Sequence, residues 1–461
     1  MDQPNLILIT TDQQRFDTLS IEGRQPCQTP YLDQFCSEGV RFSSAYSAVP
    51  SCIAARAAIM TGQSQESHGR LGYRDRVPWE YKVTLPGELQ RAGYQTFAIG
   101  KMHFYPQRKA MGFERMVLHE GNQCWNDGFV DDYHEFVRQE THGTIHKSDH
   151  GLHDNSWVAR PWHTEEYLHE TNWTVTAALD ALRRRDPTRP FFLWLSFIKP
   201  HAPLDPPQPY WDMYIDEDLG PVPVGDWVEQ DDEAFVTYDV NASRGKLSAR
   251  NLQRARAGYF GLISHIDAQI SRFFNVLQRY FFLNPQDCFT IFASDHGEML
   301  GDHHWWRKTV AYEGSAHIPL VMRGPASLGL SRGAVCPQVV ELRDIMPTFL
   351  DVAGVPIPDT VEGKSLLPLA RGENVSWREF LHGEHENPQG MHYLTDGREK
   401  YIWHWKLNQE QLFDLTSDPQ ECHDLSRRPN WAERLKLWRQ RMIECLASRG
   451  GDVVERLKAR P

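Results

Sequence analysis

Apolar and polar positions along the chain fall first into short continuous apolar runs separated by longer amphipathic stretches. The runs at 6–9, 94–99, 191–197, 288–293 and 319–322 show little polar alternation. Strands of that kind are buried on both faces, as in a mostly parallel sheet covered by helices. Leu252, Tyr259, Leu262, Ile266, Ile270, Phe273 and Leu277 recur mostly at three- and four-residue steps, which predicts a long helix over 248–280 with a core-facing stripe. Thr84-Leu85-Pro86-Gly87-Glu88 has the composition of a helix start, and Gly93 punctuates the entry to the next strand. Two polar stretches break the alternation: 119–163, rich in His, Trp and Asp, and 203–247, rich in Pro and Asp. Insertions of that length in an α/β scaffold usually wall an active site.

Past residue 351 the pattern changes. Short segments at 380–385, 391–395, 400–405 and 411–415, separated by Gly, Asn and Asp, predict an antiparallel meander, and a helix follows over 431–446. The expected fold class is therefore α/β. A large catalytic domain, 1–370, would hold a mostly parallel central sheet between helices. A small C-terminal α+β domain, 371–461, would carry an antiparallel sheet and complete the substrate pocket.

Composition narrows the partners. With 49 basic against 61 acidic residues the net charge is −12, and no Lys/Arg-rich run stands out, so no nucleic-acid partner is expected. The cysteines at 27, 36, 52, 124, 288, 336, 422 and 445 form no CxxC pair, which fits reduced thiols better than a disulfide framework or a structural zinc site. No apolar run approaches membrane-spanning length, and the segment Met1-Asp2-Gln3-Pro4 lacks a basic leader region. A cytoplasmic location without a membrane partner is the expectation, with homo-oligomerisation open.

Chemistry-bearing residues cluster at the ends of the predicted strands. Asp12 follows the first, Lys101 and His103 the second, His201 the third, and Asp295 with His296 the fourth. Open α/β sheets place ligand-binding groups at such ends, and alternate residues there, such as Lys101 and His103, can project to one side. Two carboxylates and an imidazole suit a divalent cation bound mainly through oxygen. Cys52 opens Cys52-Ile53-Ala54-Ala55-Arg56, an Ala-rich helix start after Val49-Pro50-Ser51. A reactive group there sees unpaired N–H groups and the positive dipole end, which favour an anionic substrate. Arg56 lies one turn along as a fixed cation.

The pentapeptide says little alone. Together with Asp12-Gln13, Gly100-Lys101-Met102-His103, Lys199-Pro200-His201 and Ser294-Asp295-His296-Gly297, in that order, it resembles the type I sulfatases of the alkaline phosphatase superfamily, from the chain start into the 320s. The resemblance implies that a maturase oxidises Cys52 to formylglycine, whose hydrated aldehyde attacks sulfur. It also implies one divalent cation, Ca²⁺ with Mn²⁺ or Mg²⁺ as alternatives, held by Asp12, Gln13, the residue-52 oxygen, Asp295 and His296. Arg56 and Lys101 would stabilise the diol and Asp295 would help deprotonate it. His201 with Lys308 would assist the departing alcohol, Arg307 being able to replace Lys308, and His103 would take the proton that releases sulfate. The chain departs from the pattern at Gln13, where many sulfatases carry a second aspartate, and at Ala54, where many carry proline.

The implied substrate is a small-molecule or oligosaccharide sulfate ester. Trp125, Trp157 and Trp162 as stacking surfaces, and His382, Glu384 and His385 as substrate-binding groups, favour a carbohydrate. Two alternatives stay open. One is a phosphonate monoester or phosphodiester hydrolase with the same nucleophile, and the other a non-catalytic glycan-binding protein in which Cys52 stays a thiol.

Overall fold

A computed structural model describes residues 3–121, 128–228, 239–449 and 451–460. The strands are β1 (Asn5–Asp12), β2 (Val40–Phe42), β3 (Ala45–Tyr46), β4 (Gln95–Gly100), β5 (Arg115–Leu118), β6 (Phe191–Pro200) and β7 (Cys288–Ser294). They continue with β8 (Leu320–Arg323), β9 (Ala334–Cys336), β10 (Val340–Glu341), β11 (Leu381–His385), β12 (Met391–Thr395), β13 (Glu399–His404) and β14 (Gln409–Asp414). Eight of them form the central sheet in the order β5-β4-β6-β1-β7-β8-β2-β9. Only β8 runs against the others, pairing antiparallel with β7 and β2.

Period-two alternation divides the core between the two sheet faces. Leu6 and Leu8 join one cluster with Trp194, Ile291 and Phe349, whereas Ile7 and Ile9 join another with Leu195, Phe273 and Leu277. The helix Ala249–Tyr280, capped by Ser248 accepting from the Asn251 N–H, lays Ile266, Ile270, Phe273 and Leu277 of its predicted stripe on the second face, while Tyr259 and Leu262 join a separate cluster with Leu204 and Trp211. The helix Cys52–Thr61 contributes Ile53, Ile59 and Met60 to the first face. Both faces are covered, which is why the apolar runs show so little alternation.

What this arrangement does for function lies at one sheet edge. Strands β4, β6, β1 and β7 are adjacent and parallel, so their carboxyl ends bring Lys101, His201, Asp12 and Asp295 to one side of the sheet.

The second sheet is the antiparallel meander β11-β12-β13-β14. Tyr393, Ile402 and Phe413 face Tyr46, Met299 and Tyr312 of the large sheet's unit, while Leu394, Tyr401, Trp403 and Leu412 face Trp438 and Met442 of the helix Ala432–Leu446. A further helix, Asp452–Lys458, which the polar C-terminal pattern does not predict, adds Val454 and Leu457 to this second cluster. The short strands β2, β3, β5, β9 and β10 likewise escape the sequence pattern, because two to four residues carry too little periodicity.

Lys400, on β13, ties the small sheet to the segment 311–313 of the large sheet's unit. Fully buried, its ammonium reaches Glu313 at 2.5 Å and Glu421 at 3.0 Å and donates to the Ala311 carbonyl at 2.8 Å. Replacing it with methionine strands two buried carboxylates, so Lys400→Met is expected to cost about 3–5 kcal/mol in urea unfolding. A change under about 1 kcal/mol, the value of an exposed pair, would show that Lys400 does not hold the sheets together.

Candidate active site

Cys52 is the first residue of its helix and is buried. Its sulfur lies 3.1 Å from His296 Nε2, 3.0 Å from the Lys308 ammonium and 3.7 Å from Asp12 Oδ1. Burial and the Asp12 carboxylate push the thiol up, but Lys101, Lys308 and His296 together outweigh them and hold it below its ordinary value.

One turn further, Arg56 is wholly buried between strand ends. Its Nε and Nη2 reach Asp295 Oδ2 at 3.2 and 3.1 Å, and Nη1 donates to Ser196 Oγ at 2.9 Å and to the Lys101 carbonyl at 2.5 Å. Lys101 forms a tight ion pair with Asp12 Oδ2. Burial opposes the charge on Asp12, but Lys101, Lys308, His201 and His296 hold its carboxyl well below the usual range.

Gly100 explains how Lys101 gets there. It closes β4 at φ +94°, and a Cβ would sit 2.0 Å from the Ser196 carbonyl, which instead accepts from the Lys101 N–H at 3.0 Å. His103 reaches the same cavity by a different route from the strand alternation expected. The strand has already ended, and His103 adopts φ +61° with its N–H held by the Glu120 carboxylate at 2.9 and 3.0 Å.

Asp12, Cys52, Asp295 and His296 each place a ligand atom within 4.8 Å of the others, and all four are buried. His296 Nδ1 lies 3.0 Å from the Gly297 carbonyl, a hydrogen bond that points the Nε2 lone pair into the cluster. Gln13 is held in the matching orientation. Its amide nitrogen donates to Glu298 at 2.5 Å, leaving Oε1 to face the cluster, where Lys308 donates to it at 2.9 Å. Two carboxylates, an imidazole and an inward amide oxygen fit a divalent cation of the hard or borderline class.

A cavity of about 520 Å³ opens above this floor and reaches Cys52, Lys101, His103, His201 and Lys308 together. Burial, then Lys308 and Lys101, keep His201 well below its ordinary value; burial, Lys101 and Arg56 do the same for His103. Both imidazoles are therefore neutral in the free site. His201 Nδ1 is engaged by the Ala202 carbonyl at 2.9 Å. Of the pair Arg307 and Lys308, it is Lys308 that reaches Cys52.

Several expected substrate-binding residues lie outside the cavity lining. None of the residues lining the cavity comes from beyond Thr309, although Asn387 of the small domain donates to the Thr309 carbonyl at 2.8 Å. His382, Glu384 and His385 do not line it. The Glu384 carboxylate is occupied by Arg449 at 2.7 Å through both oxygens, and His382 packs on His392 at 3.2 Å. His385 is buried against Gly72, within electrostatic reach of His296 and Lys308. Trp157 donates to the Asp239 carbonyl and Trp162 to that of Glu165, both outside the cavity lining, while Trp125 lies outside the described residues.

Sequence reasoning missed Glu298, Glu120 and Ser196. Glu298 stands two residues after His296, and Glu120 just beyond a short strand, so carboxylates next to recognised motifs were the available signal.

Comparison with known proteins decides the family: the profile described as Sulfatase matches residues 4–355. The chain belongs to the sulfatase family. A second profile, N-sulphoglucosamine sulphohydrolase, C-terminal, matches residues 301–448. This sulfatase is 45% identical over 465 residues to an arylsulfatase of Clostridium perfringens, covering 97% of this chain and 95% of that protein. It is a sulfuric ester hydrolase of the sulfatase/arylsulfatase type. The phosphonate monoester hydrolase of Agrobacterium radiobacter superposes with a TM-score of 0.79 at 24% identity, covering 96% of both chains. A structure solved in complex with D-glucosamine-2-N,6-O-disulfate gives 0.76 at 20% identity, covering 99% of this chain and 98% of that one. Those two likenesses establish the alkaline phosphatase-like fold.

In unmodified, chelator-treated sulfatase, the alkylation rate of Cys52 by iodoacetamide should titrate below the ordinary thiol value of 9.0. Lys308→Met removes a cation and should raise that midpoint; an unchanged or lower midpoint would contradict the electrostatic account.

Proposed function

We propose that this sulfatase hydrolyses a sulfate ester on a carbohydrate, with Cys52 converted to formylglycine by a maturase and one divalent cation, Ca²⁺ foremost, at the strand-end cluster. The observation that carries this reading is Cys52 buried at a helix N-terminus among Asp12, Asp295, His296, Lys101 and Lys308. A thiol in that position has no hydrolytic cycle of its own, whereas a hydrated aldehyde offers an oxygen nucleophile and later expels sulfate by re-forming its carbonyl. A cation held by Asp12, Gln13, Asp295, His296 and the residue-52 oxygen would supply Lewis-acid polarisation of the sulfuryl oxygens.

The chain's own residues then have distinct tasks. Asp295, held by Arg56, would accept the proton of the residue-52 hydroxyl, while Lys101 and Lys308 would hold negative charge on the sulfuryl oxygens. His201 lines the cavity, and in this reading it stands beside the leaving group. An anionic substrate beside it raises its proton affinity, so that it can hand a proton to the departing alcohol oxygen. His103, oriented by Glu120, takes the proton whose removal collapses the diol.

A carbohydrate leaving group is supported by the cavity's size and by polar groups such as Asp154, Asn155 and Ser243 along it. The neighbour whose ligand is a disulfated glucosamine favours the same class. A second reading, phosphonate monoester or phosphodiester hydrolysis, is favoured by the phosphonate monoester hydrolase with the same fold.

Mass spectrometry of the tryptic peptide containing residue 52 should find the aldehyde in active protein. Thiol alone in a fully active preparation would remove the proposed nucleophile. A panel of esters should give a sulfated saccharide higher kcat/KM than any phosphodiester or phosphonate monoester; the reverse order would move the protein to the second reading. His201→Ala should slow sugar sulfates by about tenfold or more beyond its effect on nitrophenyl sulfate, which needs less protonation to leave. Equal losses on both substrates would deny His201 the acid role.

A further inference from the structure

Cations around the cavity differ in how their charge is met. Lys101 is paired with Asp12, and Lys147 lies 2.6 Å from the Glu170 carboxylate. Lys308 is spent on Gln13, Cys52 and, at 4.0 Å, Asp12. Arg307 is the exception. It lines the cavity, is half-buried, and makes no ion pair among the described residues, the Glu298 and Asp239 carboxylates acting on it only from beyond contact distance. Its guanidinium gives one hydrogen bond among the described residues, from Nη2 to the Asn241 carbonyl at 2.7 Å, so that most of its five N–H donors have no acceptor among those residues.

The backbone at this position is fixed with unusual care. Arg307 is a non-glycine residue at φ +68°, in the left-handed region. Its N–H is held by the Glu298 carboxylate, and its carbonyl accepts from the Met299 N–H at 2.7 Å. Two residues on, Thr309 at φ +77° donates its N–H to the Pro50 carbonyl at 3.2 Å, beside Cys52. The segment 307–309 is thus locked against the start of the Cys52 helix. Lys308 is directed to Cys52, and Arg307, also lining the cavity, to the Asn241 carbonyl.

A half-buried guanidinium with spare donors, held rigidly and facing a substrate cavity, has the chemistry of an anion receptor. Sulfate itself is served by the floor. We infer that Arg307 is a specificity-determining residue that binds a second anionic group, a carboxylate or a second sulfate, on the sugar part of the substrate. This rests on the carbohydrate sulfatase reading above and narrows it to doubly anionic sulfated saccharides, uronates or disulfates.

The test compares esters that differ at one position. Methyl glucuronides sulfated at O2, O3 or O4 carry a C6 carboxylate; the matching methyl glucosides carry a C6 alcohol, and their O6-sulfated forms a second sulfate. 4-Nitrophenyl sulfate, with no second anion, is the control. On at least one ring position the wild type should prefer the carboxylate or the disulfate over the neutral glucoside by about tenfold or more in kcat/KM, expressed mainly in KM. Arg307→Ala should cut that ratio to within about threefold while changing nitrophenyl sulfate turnover by less than about threefold, with Arg307→Lys intermediate. The carboxylate and disulfate arms tell which anion is read.

Two results overturn the inference: a wild type indifferent to the second anion at every position, or an Arg307→Ala variant that loses nitrophenyl sulfate turnover as much as the rest, which would make Arg307 a support for Lys308. If the wild type cleaves no saccharide sulfate at all, the carbohydrate reading fails separately. Calorimetric binding of methyl glucuronide and methyl glucoside then decides the subsite: tighter binding of the acid, lost in Arg307→Ala, supports it, and equal affinities refute it.

Discussion

The guanidinium of Arg56 is the constraint on which the site's geometry depends. Fully buried, it touches Asp295 just beyond β7, Ser196 on β6 and the Lys101 carbonyl beyond β4, and lies 3.7 Å from Asp12 on β1. Four strand ends and the Cys52 helix therefore meet at one cation. Two carboxylates buried side by side repel each other and are costly to desolvate, and a cation among them is what makes that arrangement tolerable. A lysine could offer charge there, but its compact ammonium lacks the rigid planar fork that satisfies acceptors on several strands at once. Because Arg56 lies one helical turn after residue 52, the same contact also sets where the helix begins, and so where residue 52 sits relative to Asp12 and Asp295.

Much of this was legible in the sequence because the central strands are long enough to show their burial. Apolar runs ending in Asp12, Lys101, His201 and Asp295 implied a common edge, and the structure makes those strands neighbours in a parallel arrangement. The meander was legible for a related reason, since its residues alternate between a cluster on the large unit and one on the terminal helix. What sequence could not show was direction outside regular elements. His103, Arg307 and Thr309 are left-handed, so no strand or helix period relates their side chains to their neighbours. The cluster around Glu384 has a composition suited to sugar binding, yet its carboxylate is consumed by Arg449, from a part of the chain whose proximity no local pattern reveals.

The insertion over 119–163 is tied to the catalytic edge by charge as well as by packing. Lys199, one residue before the end of β6, lies 2.8 Å from Glu170 and 2.6 Å from Asp205, and Lys147 reaches Glu170 from the cavity wall at 2.6 Å. His119 adds a contact to Glu170 at 2.5 Å and one to Asp131 at 3.1 Å. None of these groups can move singly without stranding a buried charge, so the wall carrying Lys147 and the turn carrying His201 keep a fixed relation. The chain is acidic as a whole, with net charge −12, and the cavity holds cations and carboxylates together: Lys101, Lys147, Arg307 and Lys308 line it beside Glu120 and Asp154.

Backbone strain follows the same logic of position. Gln13 at φ +76°, His103 at φ +61° and Arg307 at φ +68° each occupy a conformation that costs a non-glycine residue about 1–2 kcal/mol, and each lines or borders the site. Each is also held by a buried side chain. Gln13 donates its N–H to Asp295 Oδ1 at 3.1 Å and accepts from the Tyr259 hydroxyl at 2.6 Å. Glu120 secures His103, and Glu298 secures Arg307 together with the Gln13 amide. Buried carboxylates thus do the orienting. Groups that must meet an anion are already aimed when it arrives, and binding energy need not be spent on arranging them.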